Sequence, residues 1–201
     1  MEDKNIRSDA FYSVSKICPI CHRVAISFLP AGKRLRDDAE CPVCGSYERH
    51  RGLWNFISML SFNKVDGLFL NPPGKMKQYV KEYGFDTIDI NNLNIENKKY
   101  NVIVCSNQLS KVSDYKSLLK KIYLMLSDNG VLLLGLWLKK SSSEYYIPDL
   151  RKALDDFVGE LREIGFITEY KWNKDIFLQD SMYRYSILPD EFFIECRTSI
   201  D

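Results

Sequence analysis

Histidine is nearly missing from this 201-residue chain, which carries two, His22 and His50, both within its first fifty residues. No Ser-His-Asp arrangement can be assembled around them. Neither a Gly-x-x-x-x-Gly-Lys phosphate loop nor a pair of carboxylates at hydrolase spacing occurs. An excess of charge is also lacking: 28 Lys and Arg against 27 Asp and Glu leave a formal net charge of +1. Bulk electrostatics therefore names no partner, and a nucleic-acid role would need a local patch. No stretch reaches the ~18 consecutive apolar residues of a membrane span. The opening residues Met1-Glu2-Asp3-Lys4-Asn5 have no apolar signal-peptide core, so a cytoplasmic protein with no membrane partner is expected.

Against these absences stand six cysteines, four of them in two matched pairs, Cys18-Pro19-Ile20-Cys21 and Cys41-Pro42-Val43-Cys44, with nineteen residues between. That is the spacing of a zinc ribbon. A structural Zn²⁺ takes four ligands in a tetrahedron, and two residues between cysteines let one tight knuckle offer both sulfurs to one ion. The prolines stiffen each knuckle, and Gly45 can turn the chain away with positive φ. Four ordinary buried cysteines or two disulfides are the competing readings. Nothing else looks secreted, and the spacing favours metal held by Cys18, Cys21, Cys41 and Cys44. Cys105 and Cys196 lie within strand-like runs and read as core thiols.

The rest of the chain alternates strands and helices. Ser46 is placed to cap a helix with Leu53, Trp54, Ile57 and Leu60 on one face. Strands are expected at Leu68–Leu70, Phe85–Ile88, Val102–Cys105 and Val131–Trp137, the last the most apolar run and hence central. Helices are expected over about 75–83, after Ser113-Asp114, and from Pro148 to Gly165. Phe166–Tyr170 and Phe192–Cys196 should be two final strands, antiparallel to each other. This pattern predicts an α/β fold with a mostly parallel sheet covered on both faces. Residues 1–62 are expected to form the ribbon and a linking helix, and residues 63–201 the α/β domain. Ligands of such sheets bind at the carboxyl ends of the strands, which are here Asn71 to Gly74, Asp89, and Cys105 to Gln108.

Strand, glycine-containing turn, helix and a strand ending in an acid are followed by Tyr100-Asn101-Val102-Ile103-Val104-Cys105 and by Leu126-Ser127-Asp128-Asn129-Gly130-Val131-Leu132-Leu133. This succession resembles the class I S-adenosylmethionine-dependent methyltransferases. There the corresponding segments read as Phe-Asp before an apolar strand, and as a helix end, Pro-Gly-Gly and a strand. The run from Cys41 to Arg51, Cys-Pro-x-Cys-Gly-Ser-x-x-Arg-His-Arg, resembles a bacterial subset with a four-cysteine ribbon fused to that domain. The resemblance covers nearly the whole chain. It implies a Rossmann-like sheet, S-adenosylmethionine beside a structural zinc, and methyl transfer to a small-molecule or polymer substrate. Carried over, the cofactor loop falls on Leu70 to Gly74, so that Asn71 and Gly74 bring backbone against the cofactor. Asp89 accepts from the ribose hydroxyls, and Cys105 closes the site at the next strand end. The chain departs from the family where Asn71, Pro72 and Pro73 replace glycines, and where Asn101 replaces the acid of Phe-Asp. Asn107, Ser110 and Lys111 stand where the family carries His and Glu-His. Twelve residues between Asp89 and Val102 are too few for the usual helix and strand, which implies a cofactor site weaker than the family norm.

A binding module is the alternative to an enzyme. The ribbon would contact RNA or a protein, and the sheet would be a cofactor-free scaffold. His50 between Arg49 and Arg51, near Lys33, Arg34 and Arg36, could meet phosphates, with Tyr12, Tyr47 and Trp54 for stacking. The reading favoured here is a solvated helix start whose arginines pair with Asp37, Asp38 and Glu48.

Overall fold

The first two hairpins are too short to hold together by themselves. β1 (Lys16–Ile17) pairs with β2 (Val24–Ala25), and β3 (Leu29–Ala31) with β4 (Arg36–Glu40), both antiparallel. Isolated two-stranded ribbons are marginal in water, so their order has to come from the metal knuckles and from what they pack against. The computed structural model describes residues 15–136 and 147–198, except 33–34, 61–63 and 95–97. The expected lead-in over residues 1–14 and Trp137 therefore lie outside the described residues.

Helix α1 (Glu48–Ile57) follows the second knuckle. It begins one residue later than a Ser46 cap would place it. Tyr47 is the cap residue, its N–H donating to His50 Nδ1 at 3.1 Å, while Ser46 is fully buried beside the cysteine sulfurs. The chain then builds one six-stranded sheet from β5 (Gly67–Leu70), β6 (Phe85–Ile88), β7 (Tyr100–Ser106), β8 (Leu126–Gly135), β9 (Phe166–Trp172) and β10 (Phe192–Thr198). Their order is β6-β5-β7-β8-β10-β9. β5 to β8 pair in parallel, and β10 runs antiparallel to both β8 and β9. This is the expected Rossmann-like, mostly parallel sheet, with the last two strands antiparallel to each other as expected.

The continuous apolar runs are explained by cover on both faces. Phe69, Val102, Val104, Val131, Leu133 and Phe193 face α1 and α2 (Met76–Glu82). Leu68, Ile103, Cys105, Leu132, Ile194 and Cys196 face α3 (Tyr115–Met125) and α4 (Ile147–Ile164). Asp114 caps α3 by accepting from Ser117 N at 3.0 Å, and Gly165 ends α4 with φ 115°. β8 lies inside the sheet, and Val131 to Leu134 are fully buried. Leu133→Ala is expected to cost about 2–5 kcal/mol in a denaturant titration, and a loss below ~1 kcal/mol would mark the strand as peripheral.

Three stretches differ from the sequence reading. Asp128-Asn129-Gly130 does not turn the chain ahead of β8 but bulges within it. Tyr100 pairs with Leu126 and Val102 with Val131, and Asn129 takes φ 60°. Among its described residues, the loop expected from Asn91 to Asn101 begins with a 3-10 turn, Ile90–Asn92, and gives way to β7 already at Tyr100. Two short helices, α5 (Asn173–Ile176) and α6 (Gln179–Tyr185), fill the connection from β9 to β10, where none were expected. Helices of four and seven residues carry too little periodicity to register in a sequence.

Candidate metal centre and cofactor site

Both cysteine pairs sit in turns of the same construction. In the first, Cys18 N donates to Arg23 O at 3.0 Å and His22 N to Cys18 O at 2.8 Å; in the second, Cys41 N donates to Ser46 O and Gly45 N to Cys41 O, both at 2.9 Å. The residue after each second cysteine is left-handed, Gly45 at φ 70° and His22 at φ 55°. Glycine takes that conformation freely, whereas histidine does so at some cost. His22 hydrogen-bonds through its ring to the Tyr83 hydroxyl at the end of α2, so it ties the first knuckle to the sheet domain and is not a metal ligand.

The knuckles bring Cys18, Cys21, Cys41 and Cys44 together, all buried, with every Sγ within 4.8 Å of the others. Cys18 and Cys44 sulfurs are 3.6 Å apart, and those of Cys21 and Cys41 3.7 Å. A tetrahedron with ligands ~2.3 Å from a zinc ion has edges of about 3.8 Å, so the donor set fits the ion. Hydrogen bonds from Cys41 and Cys44 pull the Cys18 thiol far below its ordinary value. Cys44 is pushed up by its bond to Cys18, and burial lifts Cys21 to about 12. Sulfurs this crowded cannot all ionise unaided, and a divalent cation removes that conflict. Ser46 Oγ, 3.4 Å from Cys18 Sγ and 3.2 Å from Cys44 Sγ, can donate to a thiolate.

The basic segment beside the ribbon is not a surface patch. Glu48, His50 and Arg51 are buried, Arg51 completely. His50 is held neutral, its pKa lowered by burial and then by Arg49 and Arg51. Arg36 makes a two-pronged pair with Glu48 at 2.9 and 3.2 Å. Of the solvated helix start, the expected pairing with Glu48 is found at Arg36. Burial takes His50 and Arg51 out of both that reading and the phosphate patch, and among the described residues no carboxylate pairs with Arg51. Its guanidinium donates to five carbonyls: Tyr185 O (2.6 Å), Ala39 O (3.1 Å), Ser46 O (2.7 Å), Asp38 O (3.1 Å) and Ser186 O (2.8 Å). Ribbon, linking helix and the end of α6 thus meet on one side chain. Lys33 and Arg34 lie outside the described residues. Charged residues are seldom fully buried, so composition alone could not have identified Arg51.

At the carboxyl ends of the strands, the chain turns from β5 to β6 on one side and continues with β7 on the other. That reversal of strand order is where open α/β sheets hold ligands. Asn71 follows β5 at φ 49°, and its Oδ1 accepts from Ile90 N at 2.7 Å, bracing the β6 end. Gly74 is exposed, and a Cβ there would meet nothing within 4 Å, so the protein's own packing does not require glycine. Asp89 is exposed and caps the 3-10 turn, its Oδ1 accepting from Asn91 N at 2.9 Å. Cys105 is fully buried in β7, and burial lifts its thiol to about 12. It can therefore face a ligand only through its backbone. Asn71, Gly74 and Asp89 share this edge of the sheet.

No protein-family model and no curated protein matches the chain. Solved structures match it in fold. An S-adenosylmethionine-dependent methyltransferase of Thermotoga maritima is 14% identical, with a TM-score of 0.46, over 74% of this chain and 88% of its own. A TehB-like S-adenosylmethionine-dependent methyltransferase of Corynebacterium glutamicum is 13% identical, TM-score 0.45, over 74% and 88%. The phosphoethanolamine N-methyltransferase 2 of Haemonchus contortus, in complex with S-adenosyl-L-methionine, is 11% identical, TM-score 0.49, over 78% of this chain and 53% of its own. The class defined here is a Rossmann-like, mostly parallel α/β fold carrying an N-terminal four-cysteine cluster that fits zinc. At these identities the likeness transfers neither residues nor activity, and it gives no origin.

Proposed function

We propose that the protein is an S-adenosylmethionine-dependent methyltransferase whose ribbon is held by one structural zinc. The observation that carries this reading is the reversal of strand order between β5 and β7, with Gly74 open and Asp89 exposed beside it. Gly74 would let backbone approach the methionine and ribose parts of the cofactor, and the Asp89 carboxylate would accept from the vicinal ribose hydroxyls. Pro72 and Pro73 have no amide hydrogens to offer, and the short link from β6 to β7 leaves the ligand more exposed to water. Binding is therefore expected to be weaker than in a glycine-rich loop. Residues 1–62 would act as ribbon and brace, and residues 63–201 as the domain that binds cofactor and substrate. Among the described residues no helix is long and apolar enough to cross a membrane. Unpaired cysteines support a cytoplasmic setting. A macromolecular contact through the ribbon would be with a protein, on the exposed apolar side chains of Val24, Ile26 and Leu35.

Calorimetry on the wild type and Asp89→Ala tests the cofactor reading. Losing a hydrogen bond to a charged group costs about 1.5–3 kcal/mol, so Asp89→Ala should bind S-adenosylmethionine roughly ten- to a hundredfold more weakly. Equal affinities would remove Asp89 from the site. No heat from either protein at millimolar ligand would overturn the methyltransferase reading.

A further inference from the structure

The first turns of α1 lie over the carboxyl edge of the sheet, and polar groups are buried there without partners. Among the described residues six buried side-chain polar atoms have none. Five of these belong to one seam: Arg49 Nε, Ser106 Oγ, Asn107 Oδ1, Asn173 Oδ1 and Glu191 Oε2. Such atoms are few in folded proteins, and a cluster of them calls for an explanation.

The five residues are linked step by step across the seam. Asn173, just after β9, donates its N–H to Glu191 O, just before β10, at 3.0 Å. Its Oδ1 is 3.2 Å from where a Cβ on Gly52 of α1 would stand. The neighbouring Leu53 comes within 3.5 Å of the same point on Gly135, the end of β8, and Ser106 Oγ within 3.3 Å of it. Asn107 N donates to Gly135 O at 2.7 Å. Arg49 is one turn before Gly52 and Leu53, on the same face of α1. Ser106 and Asn173 are each 2% exposed. Asn173 Nδ2 donates to Leu188 O at 2.8 Å, which fixes the amide and leaves its carbonyl oxygen as the unpaired atom.

Asn107, Asn173 and Glu191 offer acceptors, Ser106 can act either way, and Arg49 supplies one donor. An anionic ligand would confront three acceptors, and a hydroxyl has one hydrogen to share among them. The complement is a group with several N–H donors and one acceptor nearby.

We propose that this seam is the acceptor pocket for methyl transfer and takes a nitrogen nucleophile with at least two N–H bonds, a primary amine or a ring-attached amino group. This rests on the methyltransferase reading above. The nitrogen lone pair forms the N–CH3 bond as the S–CH3 bond of the sulfonium breaks. That bonding pair stays on sulfur, which becomes a neutral thioether, and the proton shed by nitrogen passes to Glu191. Burial and the nearby Glu48 lift the Glu191 carboxyl to about 7, against the opposing pull of Arg49 and Arg51 on α1 and of Arg36 on β4. Its protonation therefore changes where proton transfer near neutrality is useful.

The test uses the zinc-loaded full chain and matched probes whose own protonation does not change near pH 7: methylamine against tetramethylammonium, and aniline against toluene. Saturation-transfer NMR without S-adenosylmethionine should show the N–H-bearing member of each pair binding selectively. Their affinity should rise with pH through about 7, as Glu191 becomes the charged acceptor, and stay flat in Glu191→Gln. Ser106→Ala removes an atom that has no partner, so it leaves folding intact and should weaken both probes about five- to tenfold. With S-adenosylmethionine added, mass spectrometry should find N-methyl product from the same probes. Equal binding within the pairs, or no effect of either variant, would overturn the pocket and leave internal water as its occupant. Selective binding with no calorimetric response to S-adenosylmethionine would overturn the acceptor role through failure of the methyltransferase reading, not of the pocket.

Discussion

Cys41→Ser is expected to abolish zinc binding and unfold the ribbon. One zinc per chain should be found in protein prepared without chelator, and none in the variant. The hairpins β1–β2 and β3–β4 span two to five residues per strand. Their buried set, including Ile20, Phe28 and the four cysteines, is continuous with Leu53 and Trp54 of α1. Metal binding and folding of such a segment are one equilibrium. Structural zinc contributes about 10–16 kcal/mol in zinc-finger peptides near neutral pH, more than two such hairpins can supply by packing. Hydrogen exchange should show protection lost from Cys18 to Tyr47 and retained in β7, β8 and β10. Metal-free protein with that segment still protected would refute the metal centre.

Arg51 is the second site of large effect. All five of its N–H groups are spent on carbonyls, from β4, the second knuckle and the end of α6. Removing one partner of a buried charged network costs about 3–5 kcal/mol, and Arg51→Met should lose that much in a denaturant titration of the zinc-loaded protein. Arg51→Lys is the sharper experiment. An ammonium has three hydrogens at one point, so at least two carbonyls lose their donor at ~1–3 kcal/mol each. A lysine variant within about 0.5 kcal/mol of wild type would show that charge alone, and not the planar fork, holds the junction. Desolvation by burial lowers the Arg51 pKa, and charge on Cys18, Glu48, Cys41 and Cys44 opposes that shift. A zinc site of four thiolates carries net negative charge and would offset the buried guanidinium. Arg51→Met and zinc removal should therefore combine non-additively in a double-mutant cycle.

The parts of this protein written in local pattern could be read directly. Two Cys-x-x-Cys pairs specify a ribbon because two intervening residues are what one knuckle needs. Val102–Cys105 and Val131–Leu134 specify interior strands because a run without alternation has no face to give to water. Asp114 and Gly165 mark helix ends through chemistry confined to one turn. The short link from Asp89 to Val102 could be foreseen from chain length, which bounds what can fit.

What depended on distant contacts could not be read. Glu48, His50 and Arg51 look like a solvated helix start until the ribbon and α6 close over them and supply carbonyls from residues far along the chain. Asn173 and Glu191 carried no motif. They meet Arg49, Ser106 and Asn107 only because β10 reverses between β8 and β9, and because Gly52 and Gly135 let α1 come close to the strand ends. The sequence by itself determined the four-cysteine cluster that fits zinc and the alternation of strands and helices, through spacing and periodicity that act over a few residues. Which charged and polar groups are buried, and which are left without partners at the carboxyl edge, was decided only by the tertiary structure. Burial of a polar side chain is set by what packs over it, and those elements come from the far end of the chain.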